Sequence, residues 1–570
     1  MPSLDVSELN IVLAILGTFI VLYGWISVKI KAQWYLGEAL PAVVIGIMLG
    51  PIAAKFLDAD RWGSAAPEQM GAITLGVARV VIGVQLVIAG FQLPAKYQLR
   101  AWIPMMICLL PVMTIMWLFT TGCILLTVPK LTLLTGLVIG SCVTCTDPIL
   151  SQAIAKGPFA DKYVPRALRE IISSEAGAND GFGFPFLMLA VYLIRFADVP
   201  GAGEHTAEKG AEAATELAGN FTTAIVERAM LHVREEEVGR LGGGVGIALG
   251  TWATETWVYI VFLSVLYGIV VGYGSAKIAK FALRRKWIDT ESYLLMPTGL
   301  GLFLIGTCGA IGTDDLLACF VAGNALNWDG QYLAETEALH DEVNSCMDVL
   351  LNFGGFMYIG IIMPFSDFHQ PDTTGLTIPR LIGLGFLVLI FRRIPAILIT
   401  YKFMPTCVKN WKEALFMGYF GPIGIGAVFY IEHTKHLFPE KGQASDAEVN
   451  DLTAVMVPVV YWLVLFSIVV HGLSIPALNL IYKWRGIPAI QEDDPTEILV
   501  LSNNAALPKN SKANPNRKSI LVHNRFSVAP RPNISGPTDL SRWNSAGDRQ
   551  VFGKRDSMDS IDLEKLRQIQ

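Results

Sequence analysis

The amino-acid sequence predicts an all-α integral membrane protein of about thirteen transmembrane helices. Hydrophobic residues make up 52% of the 570 and charged residues only 16%, with a mean hydropathy of +0.47, whereas ordinary soluble domains carry about 25% charge. Apolar runs of about 20 residues, the length of helix that crosses a hydrocarbon core, recur along the chain. A net charge of -5 offers no basic surface of the kind nucleic acid requires.

The runs lie near residues 9–29, 36–57, 72–93, 101–128, 131–155, 168–195, 254–281, 291–309, 313–328, 345–365, 379–403, 412–431 and 452–482. The first has no charged leader and no small-residue cleavage site, so it is expected to remain as a span. Lys29 and Lys31, Lys96 and Arg100, Lys156 to Arg169, Lys277 to Lys286, and Lys402 to Lys412 fall in alternate loops. Basic loops stay in the cytoplasm, which predicts an outside N-terminus and an inside C-terminus. The chain thus divides into a transmembrane domain over 1–485 and a tail over 486–570. An Ala-, Gly- and Glu-rich stretch at about 197–252 interrupts the first as an extramembrane insertion, expected to be partly helical around 221–240. The tail is polar and rich in Pro, Ser and Asn, too poor in apolar mass to offset its ordering entropy, and is expected to be disordered. Arg517-Lys518-Ser519 and Lys554-Arg555-Asp556-Ser557 are candidate kinase sites there. The eight cysteines read as reduced packing thiols, and no His or Cys pattern has zinc-ligand spacing. No cofactor is expected.

Charges inside spans carry the functional information, because each costs at least about 2.5 to 3.5 kcal/mol at a helix centre. In the sixth span Glu175 and Asp180 stand five residues apart, about 140° around the helix, and face different partners. In the fifth, Thr146-Asp147-Pro148 sets an acid beside a proline that leaves a carbonyl one turn earlier unpaired, which predicts a discontinuous helix. Unwound carbonyls and the Thr146 hydroxyl, beside Asp180 and Asp147, supply the hard oxygen ligands of a small dehydrated cation. Burial disfavours a bare carboxylate and a bound cation offsets that, so one acid can hold either a proton or a cation. Competition for Asp180 is then an exchange mechanism; the bland alternative is a polar residue gluing helices together. Arg392-Arg393 in the eleventh span need compensation: Arg393 is expected to pair with Glu175, and Arg392 to face another acid or snorkel to the interface. Arg79 has no partner evident in the sequence. Asp314 and Asp315 read either as caps at a solvated turn or as functional acids.

Thr146-Asp147-Pro148, Asn179-Asp180 five residues after Glu175, Phe320-Val321-Ala322-Gly323-Asn324 and Arg393-Ile394-Pro395 resemble the monovalent cation:proton antiporters, bacterial NhaP-type proteins and animal sodium/hydrogen exchangers. Leu350-Leu351-Asn352-Phe353-Gly354-Gly355-Phe356-Met357-Tyr358 and Gly418-Tyr419-Phe420-Gly421-Pro422-Ile423-Gly424 are similar to the fungal plasma-membrane Na+(K+)/H+ branch. The resemblance covers about residues 10–485. It implies a homodimer with inverted repeats and crossed, broken helices, working by alternating access. The implied substrates are H+ with Na+, Li+ and, as a further candidate, K+. Asp180 would be the ion- and proton-binding acid, Asn179 its neighbour, Thr146 and Asp147 part of the unwound crossing, and Glu175 the partner of Arg393. The acids matching Asp314 and Asp315 count as functional in the fungal proteins.

Two positions depart from the pattern. Ala176 stands where relatives usually have Ser, so a cation ligand is expected from Ser174 or water. Tyr419-Phe420-Gly421 replaces a Gly-Leu-Arg-Gly step, removing one basic residue. A single exchangeable acid in the Asn-Asp pair predicts electroneutral exchange. An intramembrane aspartyl protease would need Asp147 and Asp180 in Tyr-Asp and Gly-x-Gly-Asp settings, which they lack, and a cation channel would need a repeated filter, which is not found. A transporter rather than an enzyme is therefore expected, multi-pass and in the plasma membrane, surrounded by lipid.

Overall fold

The computed structural model describes residues 8–30, 34–57, 69–155, 158–198, 240, 242–338, 343–444, 446–488, 496–499, 511–513 and 519–522. Each of the thirteen apolar runs is helical within them. They are α1 (Glu8–Val28), α2 (Ala39–Leu49), α3 (Gln69–Phe91), α4 (Trp102–Thr127), α5 in two halves (α5a, Leu133–Cys142; α5b, Pro148–Ala155) and α6 (Arg166–Arg195). There follow α7 (Gly244–Arg285), α8 (Thr290–Ile311), α9 (Asp315–Leu326), α10 (Val343–Ile361), α11 (Ile378–Phe403), α12 in two halves (α12a, Trp411–Tyr419; α12b, Ile425–Lys435) and α13 (Ala447–Arg485). Eight of these are long and apolar enough to cross a membrane unaided; α2, α5a and α9 are shorter apolar helices.

Local chemistry explains where the boundaries depart from expectation. α2 stops at Leu49, with Gly50 as its C-cap and Pro51 unable to continue the ladder, so the run to 57 is not all helix. α7 begins ten residues before the expected 254. Its start is fastened to the end of α6, where Gly244 N–H donates to the Phe196 carbonyl (2.8 Å) and Gly243 N–H to Asp198 Oδ1 (2.8 Å). The insertion therefore leaves and rejoins through a closed neck, and the helix expected around 221–240 lies outside the described residues. In the tail, Thr496–Leu499 (β1), Ser511–Ala513 (β2) and Ser519–Val522 (β3) form an antiparallel sheet in the order β1-β3-β2. These short strands stand within 486–570, where disorder is expected; Ile498 in β1 and Ile520 and Val522 in β3 favour extended backbone. Apart from Ser519, the candidate kinase sites fall outside the described residues. The eight cysteines are free, all buried except Cys346.

α9 packs between α3 and α7, α2 lies against α10, and α12b touches α3, α13 and α5a. The two broken helices stand seven spans apart, so they run in opposite directions, and their unwound segments meet. Gly424 makes this approach possible, because a Cβ there would lie 2.1 Å from Asp147 Oδ2. Gly424→Ala should cost about 1–3 kcal/mol by overpacking, read as a lowered melting temperature of purified protein in detergent. An unchanged melting curve would mean that the crossing is looser than described.

Candidate functional site

At the crossing, Asp147 N–H donates to the Pro422 carbonyl (2.9 Å), joining the break after α5a to the break after α12a. Asp147 Oδ1 accepts from Leu150 N–H (2.8 Å) at the start of α5b, and Oδ2 accepts from Ile425 N–H (2.7 Å) at the start of α12b. One carboxylate therefore caps two helix N-termini, where the backbone carries partial positive charge. Arg392 mirrors it at the negative ends. Its guanidinium donates to the Gly421 carbonyl (2.6 Å) and to the carbonyls of Thr144 (3.1 Å) and Cys145 (2.6 Å). The expectation that Arg392 faces another acid or snorkels is thereby corrected: it is 3% exposed, and its partners are peptide oxygens. α13 steadies the same break. Ser467 Oγ accepts from Ile423 N–H (2.7 Å), and His471 lies 3.0 Å from the Tyr419 carbonyl and 2.9 Å from its own Ser467 carbonyl. Arg392, Arg393, Tyr419, Ser467 and His471 line a cavity of about 20 Å³, room for roughly one water molecule.

Asn179 closes a ring with the first break: its Nδ2 donates to Thr146 Oγ1 (2.8 Å) and its Oδ1 accepts from Thr146 N–H (3.0 Å). This holds Asp180 against the crossing. Asp180 is fully buried, and apart from the weak thiol of Cys145 alongside no donor among the described residues reaches its carboxylate. Tyr430 O–H donates to the Asp180 backbone carbonyl (2.5 Å) and accepts from Gly183 N–H (3.1 Å), fixing the turn at 180–183. Gly426 of α12b lies so close that a Cβ would stand 2.7 Å from Asp180 Oδ1. A bare carboxylate charge so placed costs several kcal/mol, and either a proton or a small cation neutralises it.

Around this centre the other candidates sort into pairs. Arg393 donates to both oxygens of Glu175 (2.7 and 2.6 Å) and from Nε to the Met417 carbonyl (3.0 Å), tying α6, α11 and α12a together. Asp314 caps α9 through Leu317 N–H (3.0 Å), while Asp315 pairs with Arg79 (2.6 Å). The turn they occupy is buried, not solvated: Asp314 is 2% exposed and Asp315 4%. Arg79 thus gains a partner that the sequence did not reveal. Ser174 is not beside Asp180: it accepts from Gln98 (2.8 Å) and donates to Met105 Sδ (3.3 Å). Six residues before Asp180, it points about 120° away around α6. Seven residues before, on the Asp180 face, stands Ser173, buried and with no hydrogen-bond partner for its hydroxyl among the described residues.

A family model described as sodium/hydrogen exchanger, transmembrane, matches residues 15–480. The chain belongs to the sodium/hydrogen exchanger family. It is 36% identical to a probable Na(+)/H(+) antiporter of Schizosaccharomyces pombe over 83% of this chain and 56% of that one. It is 32% identical to Na(+)/H(+) antiporter 2 of Zygosaccharomyces rouxii over 84% and 54%, so it spans about half the length of these curated relatives. A second Na(+)/H(+) antiporter of Schizosaccharomyces pombe is 30% identical over 85% of this chain and 93% of its own. Among solved structures, the sodium proton antiporter MjNhaP1 from Methanocaldococcus jannaschii is similar over 83% of this chain and 99% of that one, with a TM-score of 0.51 at 15% identity. The fold is accordingly the exchanger fold, with inverted repeats and crossed discontinuous helices at α5 and α12.

In this exchanger-family chain the Glu175–Arg393 pair is buried on both sides, 0% and 4% exposed. Removing one partner of such a pair typically costs about 3–5 kcal/mol. Glu175→Gln should therefore lose monodisperse protein in size-exclusion chromatography, and the swap of Glu175→Arg with Arg393→Glu should recover part of it. Full recovery in Glu175→Gln alone would contradict a structural role for the pair.

Proposed function

We propose that this chain exchanges H+ for Na+ or Li+, with K+ as a third candidate, through competition for Asp180. The observation that carries the reading is a fully buried carboxylate without strong donors, held at a crossing whose other charges are compensated. Thr146 Oγ1, held by Asn179 Nδ2, is a candidate hydroxyl ligand for a cation bound at Asp180. A cation enters when the proton leaves, each loaded form is neutral at this site, and each crosses the dry interior at similar cost. Reorientation of the element bearing Asp180 against α3 and α9 exposes the site to either side.

Asp147 belongs to the crossing as a helix cap rather than as a second ion ligand, since Leu150 and Ile425 N–H engage its two oxygens. That geometry also argues against a protease, in which two aspartates share a proton. With Asn179 neutral and Asp147 committed, one carboxylate carries each cycle, and exchange is one for one and electroneutral. The names of the relatives support Na+ and H+ as substrates. A homodimer in the plasma membrane, with residues 1–485 as the transport unit and a regulated cytoplasmic tail, completes the reading.

The test is purified protein in liposomes with an imposed pH gradient and a clamped potential. Added Na+ or Li+ should collapse the gradient in wild type and not in Asp180→Asn, with at least about a hundredfold loss of rate; undiminished exchange in that variant would refute the assignment. Asn179→Asp adds a second titratable group beside the first. It should make exchange respond to membrane potential when the clamp is varied, and potential-independent exchange in an active Asn179→Asp protein would contradict the single-carboxylate stoichiometry.

A further inference from the structure

Glu432, in the last turn of α12b, is a transmembrane acid that the exchange cycle above leaves unused. It is 3% exposed. Tyr461 O–H of α13 donates to its Oε1 (3.0 Å), and Lys435 Nζ donates to its Oε2 (2.8 Å). The Lys435 side chain is 38% exposed and the Glu432 side chain 4%, so the ammonium reaches inward from the surface to a carboxylate that solvent does not touch. A helix-surface pair of this spacing leaves both partners in water and contributes little. Here the acid alone is withdrawn from water, which in a membrane span marks function more often than packing.

The surroundings are shaped for that group. On α3, Gly71 presents no side chain: a Cβ would lie 3.3 Å from Glu432 Oε2, 3.7 Å from Lys435 Nζ and 3.8 Å from His436 Cε1. Thr74 of α3 and Tyr358 of α10 share a hydrogen bond (2.8 Å), and Tyr358 lies within electrostatic reach of Glu432. The Glu432 carboxylate thus holds a monovalent ammonium on one oxygen and the Tyr461 hydroxyl on the other, with the Thr74–Tyr358 hydroxyl pair of α3 and α10 nearby in the same electrostatic neighbourhood. Along α12b, Glu432 is six residues, about 9 Å, from Gly426, which touches Asp180. By the loop charges this is the extracellular end.

We propose that Glu432 is a second, outer binding site for the transported monovalent cation, which passes ions between solvent and Asp180, and that Lys435 is its tethered competitor. The proposal rests on Asp180 being the central site. A cation entering from outside displaces the Lys435 ammonium from Oε2 and is later handed inward. The lysine then returns, so the acid is never left bare. A tethered group competes at an effective concentration in the millimolar range, which keeps the outer site weak and its release fast.

The test follows the melting temperature of the purified full chain over a Na+ series, with choline holding ionic strength constant, since a ligand that binds the folded state stabilises it. In an Asp180→Asn background, Na+-dependent stabilisation should persist. It should vanish on adding Glu432→Gln, and on adding Lys435→Gln it should reach half its maximum at about threefold lower Na+ or less. Loss of all Na+ response in Asp180→Asn alone, with wild type responding, would overturn the outer site and leave the central one standing. A response that survives Glu432→Gln would overturn it as well. Should that variant fold poorly, an unchanged midpoint in Lys435→Gln decides against the proposal.

Discussion

The structure depends on neutralising four helix ends at the centre of a low-dielectric slab. Breaking α5 and α12 leaves two N-termini and two C-termini without their intrahelical partners, in a place sealed from bulk water. Two side chains meet the need. Asp147 takes the positive ends and Arg392 the negative ends, each ion typically worth up to about 2 kcal/mol per end in partly buried geometry. Because each spans both breaks, the two half-helix pairs are locked to one another. Ser467 and His471 fasten the second break to α13, and Arg393 fastens α11 to α6 through Glu175.

Against that background Asp180 is conspicuous for what it lacks. Among the described residues, every other charge at the crossing has a fixed counter-charge or a backbone partner, so the one acid without strong donors is where a mobile ion is favoured. The surrounding compensation also keeps the cost of moving the site low. With Asp147 and Arg392 cancelling, the net charge of the element changes only with the occupant of Asp180, and proton and cation leave it the same. The weak outer acid proposed at Glu432 fits this logic, since an internal cation covers its charge whenever no external one does.

Much of this was legible in the sequence because it rests on side chains with strong local signatures. Apolar runs of about twenty residues placed the thirteen spans, and Pro148 marked the break in α5; the matching break at Pro422 in α12 was not read from the sequence. Glu175 and Arg393 stood out as charges that no apolar span tolerates alone, which suggested their pairing, and the family resemblance implied the same pair. The role of Arg392 was not legible. Its partners are carbonyl groups of Thr144, Cys145 and Gly421, and a peptide oxygen freed by unwinding leaves no mark on residue type. Arg79 and Asp315 lie 236 residues apart in sequence, beyond any periodicity. Ser174 and Ser173 differ by one residue on α6, which turns a side chain about 100° about the axis, a distinction residue type alone does not carry. Glu432 lies one residue past the expected end of the twelfth run at 431, so it does not register as a charge inside a span, although the helix continues to Lys435.

The central claim is that one carboxylate holds either a proton or a cation, never both. It is tested most directly by adding Na+ to purified protein in weakly buffered detergent solution and measuring the protons released. About one proton per chain should appear near the pH where the site is protonated in the absence of Na+, and none from Asp180→Asn. Na+ binding without proton release in the wild type, or undiminished release from Asp180→Asn, would contradict the account.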